Sequence, residues 1–230
     1  LFCKEYTRMF LTEKTLARKI LVGVSGIFLL LFIIGHMLGN TTIFFGPSSL
    51  NSYAHHLRTL GPVLWLERLI LLALAVIHIF YGITLTLENR QSRSTEYVRR
   101  TYQRSTFFSR TMIYTGLVIL VFVIYHLFHF TFRLTHPEIS HLVDSSGRHD
   151  VYTMVVASLQ SFVVTFIYLI GLAALFMHLS HGIQSLFQTM GWNTDRTFPL
   201  ITRGGQVAAI VIGLGFLAVP LAIIFRFLNI

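Results

Sequence analysis

Six histidines stand inside long apolar runs of this sequence: His36, His78, His126, His129, His178 and His181. An ionisable side chain in such surroundings is expensive to place, so each marks function by default. They fall in four separate runs, which allows histidines on different helices to act in pairs. Two neutral imidazoles facing each other from two helices can hold a haem iron from both sides. Iron ligated in that way has no open position and carries electrons rather than binding oxygen or substrate. Cys3 is the one cysteine and no C-x-x-C-H sequence occurs, so such a haem would be held without thioether bonds. A lone intramembrane histidine is more commonly a hydrogen-bond partner or proton relay. Four on separate helices shift the balance towards ligation.

The elements that must position these residues are read from the apolar runs themselves. Of the 230 residues 54% are hydrophobic and only 12% charged, against about 25% charged in a soluble domain. This composition excludes a soluble fold, a disordered chain and a disulfide scaffold. Apolar runs lie at about 20–39, 69–87, 111–132, 151–179 and 206–225. Each meets the roughly 20 residues a helix needs to cross about 30 Å of hydrocarbon. Their apolar character is continuous, as it is in helical spans, and lacks the period of two of barrel strands. The expectation is an all-α integral membrane bundle of five transmembrane helices, forming a single domain over residues 1–230.

Orientation follows from the connections. Thirteen cations fall on one side: Lys4, Arg8, Lys14, Arg18 and Lys19, then Arg90, Arg93, Arg99, Arg100, Arg104 and Arg110, then Arg196 and Arg203. Arg58, Arg133, Arg148 and Arg226 fall on the other, and Arg68 opens the second run. The positive-inside rule places the N-terminus in the cytoplasm and the C-terminus outside. The formal charge of +9 therefore concerns orientation and lipid headgroups rather than nucleic acid. Trp65 and Trp192 sit near span boundaries, as an aromatic belt does.

With this orientation the histidines sort by depth. His36 and His126 lie in the second halves of outward-running spans, in the outer half of the bilayer. His78 and His178 lie in the second halves of inward-running spans, in the inner half. Two layers imply two haems, with spans one and three holding the outer one and spans two and four the inner. His129 and His181 follow His126 and His178 by three residues, on nearby faces, and spacing alone does not say which member of each pair ligates. A separation of three is also too short for one helix to hold two stacked haems. Gly82 and Gly182 each stand four residues after a histidine, on the same face, where a missing side chain lets a flat macrocycle approach.

These segments together resemble the single-chain, five-helix, di-haem cytochrome b subunit of the succinate dehydrogenase and fumarate reductase (succinate:quinone oxidoreductase) family. The resemblance is carried by Ile34-Gly-His36-Met-Leu-Gly-Asn40, Asn51-Ser-Tyr-Ala-His55, Leu66-Glu67, Val76-Ile-His78-Ile-Phe-Tyr-Gly82, Val123-Ile-Tyr-His126 and Met177-His178-Leu-Ser-His-Gly182, in this order across most of the chain. By similarity the haem-iron ligands fall on His36 and His126 for the outer haem and on His78 and His178 for the inner.

The resemblance implies a membrane anchor with two b haems in a bacterial cytoplasmic membrane. It would carry electrons between a flavoprotein with its iron–sulfur partner, docked on the basic inner face, and a quinone, menaquinone or ubiquinone. The soluble partners interconvert succinate and fumarate; the connections here are too short to form a dicarboxylate site of their own. Quinone chemistry needs protons at an interface, for which Asn51, His55, Glu67 and Arg68 are the candidates. Arg68 is equally placed to hold an outer-haem propionate, and Arg18, Lys19 and Arg110 to meet inner-haem propionates or lipid phosphates. The alternatives are the cytochrome b anchor of a hydrogenase or formate dehydrogenase, and a haem-free transporter or assembly anchor.

Overall fold

The computed structural model describes residues 2–92 and 107–230, with side chains from Thr15 onward. Arg93, Arg99, Arg100 and Arg104, and the side chains of Cys3, Lys4, Arg8 and Lys14, lie outside the described residues. The described chain is helical, and five of its helices are long and apolar enough to cross a membrane. They are α1 (Phe2–Thr41), α3 (Pro62–Gln91), α4 (Phe107–His126), α7 (Phe162–Thr189) and α8 (Phe198–Ile224), with the shorter α2 (Pro47–Thr59), α5 (Pro137–Ser140) and α6 (Val151–Gln160) at one end. That end is the one to which α1 and α4 run and is called the distal end below.

The apolar run 151–179 is not one span. Ser161 adopts an extended backbone (φ −71°, ψ 123°) and separates α6 from α7. Breaking a helix frees backbone carbonyls that must find partners in an apolar setting, and Thr165 Oγ1 donates to Leu159 O at 2.5 Å to satisfy one of them. α6 begins at Asp150, whose carboxylate accepts from Thr153 N at 3.0 Å and Thr153 Oγ1 at 2.7 Å, a side-chain N-cap. It then packs inside the distal end rather than extending a span. Apolar periodicity could not reveal this, because a buried cap helix and a span read alike.

Burial is uneven in the way a lipid-facing bundle requires. The largest core cluster lies at the distal end, where Ile43, Leu50, Val156, Leu159, Tyr168, Val219 and Ile223 join α2, α6, α7 and α8. A second cluster, Leu179, Ala209 and Ile212, packs α7 on α8 near Leu30, Ile33 and Met37 of α1. α3 packs on α1 and α4 on α7, whereas α3 and α4 meet only sparsely. Towards the proximal end a groove of about 220 Å³ opens between them, lined by Thr86, Arg90, Ile113, Tyr114 and Leu117 among others.

Candidate functional site

Two of the helices that run towards the distal end, α1 and α4, carry similar sets of residues. α1 has Ser25 and Gly26, and eleven residues after Ser25, His36; α4 has Thr115 and Gly116, and eleven residues after Thr115, His126. Eleven residues of helix rise about 16 Å, so each helix offers a hydroxyl–glycine pair at one level and a histidine at another. α3 and α7 supply the remaining histidines at the hydroxyl level.

At the proximal level His78 of α3 faces His178 of α7, with ring centroids 6.2 Å apart and planes at 62°. His78 Nδ1 lies 3.1 Å from Val22 O and 3.3 Å from Ser25 Oγ. A carbonyl only accepts, so Nδ1 carries the proton and Nε2 keeps its lone pair. Thr115 Oγ1 donates to Met112 O at 3.0 Å and is 3.2 Å from His178 Nδ1, so this hydroxyl accepts from the ring and leaves Nε2 of His178 free as well. Such partners on the second nitrogen orient a ligating imidazole and fix its tautomer. The glycines make room for the rings. A Cβ on Gly26 would stand 3.3 Å from His78 Cε1, and one on Gly116 would stand 3.4 Å from His178 Cε1.

At the distal level His36 of α1 faces His126 of α4, with centroids 5.8 Å apart and planes at 88°. His36 stacks on Phe32 at 5.5 Å and meets Phe216 of α8 at 5.9 Å. His126 Nδ1 lies 3.3 Å from the hydroxyl of Tyr168 on α7. The helix widens immediately after His126 into a π-turn over Leu127–Thr131, closed by Phe132 N–H donating to Leu127 O at 2.7 Å, a device common at functional sites. It brings His129 into the core, 2% exposed, where both ring nitrogens are engaged: Nδ1 with Tyr168 Oη at 3.0 Å and Nε2 with Ser158 Oγ at 3.1 Å. His129 thus has no nitrogen free, whereas His126 faces His36. At the other level His178 faces His78, while the neighbouring His181 has a buried Nδ1 without a hydrogen-bond partner among the described residues.

Each facing pair offers two imidazoles, and no group of three or more metal-ligating side chains occurs among the described residues. Two ligands from opposite sides suit a metal whose remaining positions are filled by a planar macrocycle. Open space flanks the proximal pair: a Cβ on Gly82 would meet nothing within 4 Å, and one on Gly182 would meet only Met112 Cε at 3.9 Å.

The other expected site residues are placed as follows. Asn51 is 1% exposed; its amide donates to Asp150 at 3.0 Å and Asp144 at 3.3 Å, and its oxygen accepts from Tyr152 N at 2.9 Å. Its polar atoms are therefore engaged in fastening α2 to the loop before α6. His55, Glu67 and Arg68 are exposed at the distal end, with the Arg68 guanidinium 5.0 Å from the Trp65 ring centre. Arg18 pairs with Glu88, joining α1 to α3 at the proximal end. Lys19 and Arg110 are exposed there.

Sequence reasoning missed Ser25, Gly26, Thr115, Gly116 and Tyr168, and passed over Arg90 in the proximal groove. The signal for the first four was present, since a hydroxyl–glycine pair precedes both His36 and His126 by the same interval.

A family model described as succinate dehydrogenase/fumarate reductase transmembrane subunit matches residues 89–219. That stretch includes α4, α6, α7 and most of α8, with His126, His178 and Gly182; His36 and His78 precede it. Comparison with curated proteins and with solved structures gives no match. The family match covers more than half of the chain, and the chain belongs to the family of transmembrane subunits of succinate dehydrogenase and fumarate reductase.

Proposed function

We propose that this subunit holds two b haems, one between His36 and His126 and one between His78 and His178, and passes electrons between an iron–sulfur partner and membrane quinone. The observation that carries the reading is the pair of facing imidazoles at each of two levels, contributed by four different helices. Two imidazoles sharing one metal at bonds of about 2 Å would have centroids about 6 Å apart, and both pairs have that spacing. Open space at Gly82, the sparse contact of α3 with α4 and the Nδ1 of His181, buried without a hydrogen-bond partner among the described residues, further support a bulky group at the proximal level.

When bound, the haems supply reversible one-electron transfer at fixed positions along the bilayer normal. The chain's own residues supply the rest. Val22 O, Ser25 and Thr115 hold the Nδ1 protons of the proximal histidines and leave each Nε2 its lone pair, while Gly26 and Gly116 make room for the two rings. On the positive-inside reading the proximal end is cytoplasmic, the N-terminus lies there and the C-terminus lies outside. Lys19, Arg110 and Arg90 then stand where inner propionates and the iron–sulfur and flavoprotein partners would meet the chain. At the outer end His55, Glu67 and Arg68 remain the polar groups for quinone protonation, since Asn51 is committed to the α2–α6 junction. The membrane would be a bacterial cytoplasmic membrane.

The test is the haem content of the assembled complex. The reading expects two haems per copy of this subunit, with the α-band of six-coordinate low-spin b haem in the reduced-minus-oxidised spectrum. A complex active with succinate and quinone but lacking that band would refute it.

A further inference from the structure

The two levels differ in what stands behind their histidines. At the proximal level each imidazole meets a hydroxyl and a backbone carbonyl of the adjacent helix, Ser25 and Val22 for His78 and Thr115 and Met112 for His178. At the distal level His126 is the first member of a buried chain that runs through Tyr168 and His129 to Ser158. Tyr168, His129 and Ser158 are 8%, 2% and 3% exposed. We infer that Tyr168, backed by His129 and Ser158, is a positioning residue that sets the tautomer and electron-donating strength of His126, and so separates the redox potential of the distal site from that of the proximal one. The inference rests on the di-haem reading above.

The order of protons in the chain follows from one condition. If Nε2 of His126 is to keep a lone pair for iron, its Nδ1–H must donate to Tyr168 Oη. The single phenol proton then goes to His129 Nδ1, and His129 Nε2–H donates to Ser158 Oγ. Run the other way, the chain would leave the proton on His126 Nε2 and the ligand blocked. Each donated hydrogen bond makes the imidazole a stronger donor to iron and favours the ferric state. Among the described residues no matching chain stands on the α3 side. Tyr168 lies ten residues before His178, and the residue ten before His78 is the exposed Arg68.

Tyr168→Phe in the assembled complex tests this, since it removes the hydroxyl and keeps the ring against Phe122 and Phe130. Redox titration of both haems, with low-spin EPR, should show the distal potential moved positive and its low-field EPR signal shifted, the proximal values being unchanged. Ser158→Ala, two residues further along the chain, should move the distal potential in the same direction by less. It also decides the matter should Tyr168→Phe fail to retain the distal haem. Unchanged distal values in a two-haem complex, or equal movement of both haems, would overturn the inference while leaving the di-haem reading intact. Absence of a second haem from the unmodified complex would overturn both.

Discussion

Ser25 on α1 and Thr115 on α4 stand in equivalent places, each eleven residues before a distal histidine and each within 3.3 Å of the Nδ1 of a proximal one. The equivalence extends to a backbone carbonyl beside each ring, Val22 O at 3.1 Å from His78 Nδ1 and Met112 O beside His178. Removing either hydroxyl should therefore have similar effects. Thr115→Val and Ser25→Ala are each expected to weaken retention of the inner haem by up to about 10- to 100-fold, the range for losing an outer partner of a metal ligand. Haem retained by the purified complex through successive detergent washes measures both.

Gly26 and Gly116 act by absence. An added methyl at Gly26 would lie 3.3 Å from His78 Cε1, close enough that the ring must shift by a few tenths of an ångström. A branched side chain leaves no such adjustment. Gly26→Val should eliminate the inner low-spin signal and spare the outer one, since His36 lies about three turns further along α1. EPR of the oxidised complex reads the two separately, and an unchanged inner signal would count against the close approach of α1 to this ring.

The loop before α6 carries a pH-dependent fastening. Desolvation raises the Asp144 carboxyl, but hydrogen bonds from the Arg148 side chain, from the backbone N–H groups of Arg148 and Ser146 and from Asn51 outweigh it and hold it at about 2. A group depressed below its ordinary value of about 4 stabilises the folded loop above that value and loses the contribution as pH falls through about 2. Protease nicking within residues 141–150 should stay constant from neutral pH to about 4 and rise steeply below it. Asp144→Asn should be nicked faster at neutral pH and show a smaller acid-dependent rise, the remainder coming from Asp150, where hydrogen bonds from Thr153 and Asn51 outweigh desolvation and also hold the carboxyl below its ordinary value.

Glu67 is the carboxylate in the first turns of α3 at the distal end and is exposed. If it gives and takes the quinone protons, Glu67→Gln should lower succinate–quinone turnover by about 10²- to 10⁴-fold, the usual scale for a positioned acid–base group. Both haem spectra and the activity with a soluble artificial acceptor should remain. Normal quinone turnover in that variant would remove Glu67 from the proton path.

Much of this arrangement was legible in the residues. Five spans follow from continuous apolar runs, and the grouping of His36 with His126 and of His78 with His178 follows from their places along helices of alternating direction. The rest was hidden for physical reasons. The break at Ser161 is made by a backbone turn and a Thr165 hydroxyl, neither of which interrupts an apolar pattern. Asn51 looks like a free polar group until the fold brings Asp144, Asp150 and Tyr152, about a hundred residues away, onto its amide. The choice between His126 and His129 depends on a π-turn and on the hydroxyls of Tyr168 and Ser158, which no spacing within α4 could disclose.

The central claim is that the histidines work as two separate pairs. The most direct measurement is a potentiometric titration of the α-band in complexes carrying His36→Leu, His126→Leu, His78→Leu or His178→Leu, one at a time. The account predicts two one-electron steps in the unmodified complex, one of them absent in both His36→Leu and His126→Leu, and the other absent in both His78→Leu and His178→Leu. Loss of the same step from a distal and a proximal substitution, or two undisturbed steps in any of the four, would contradict it.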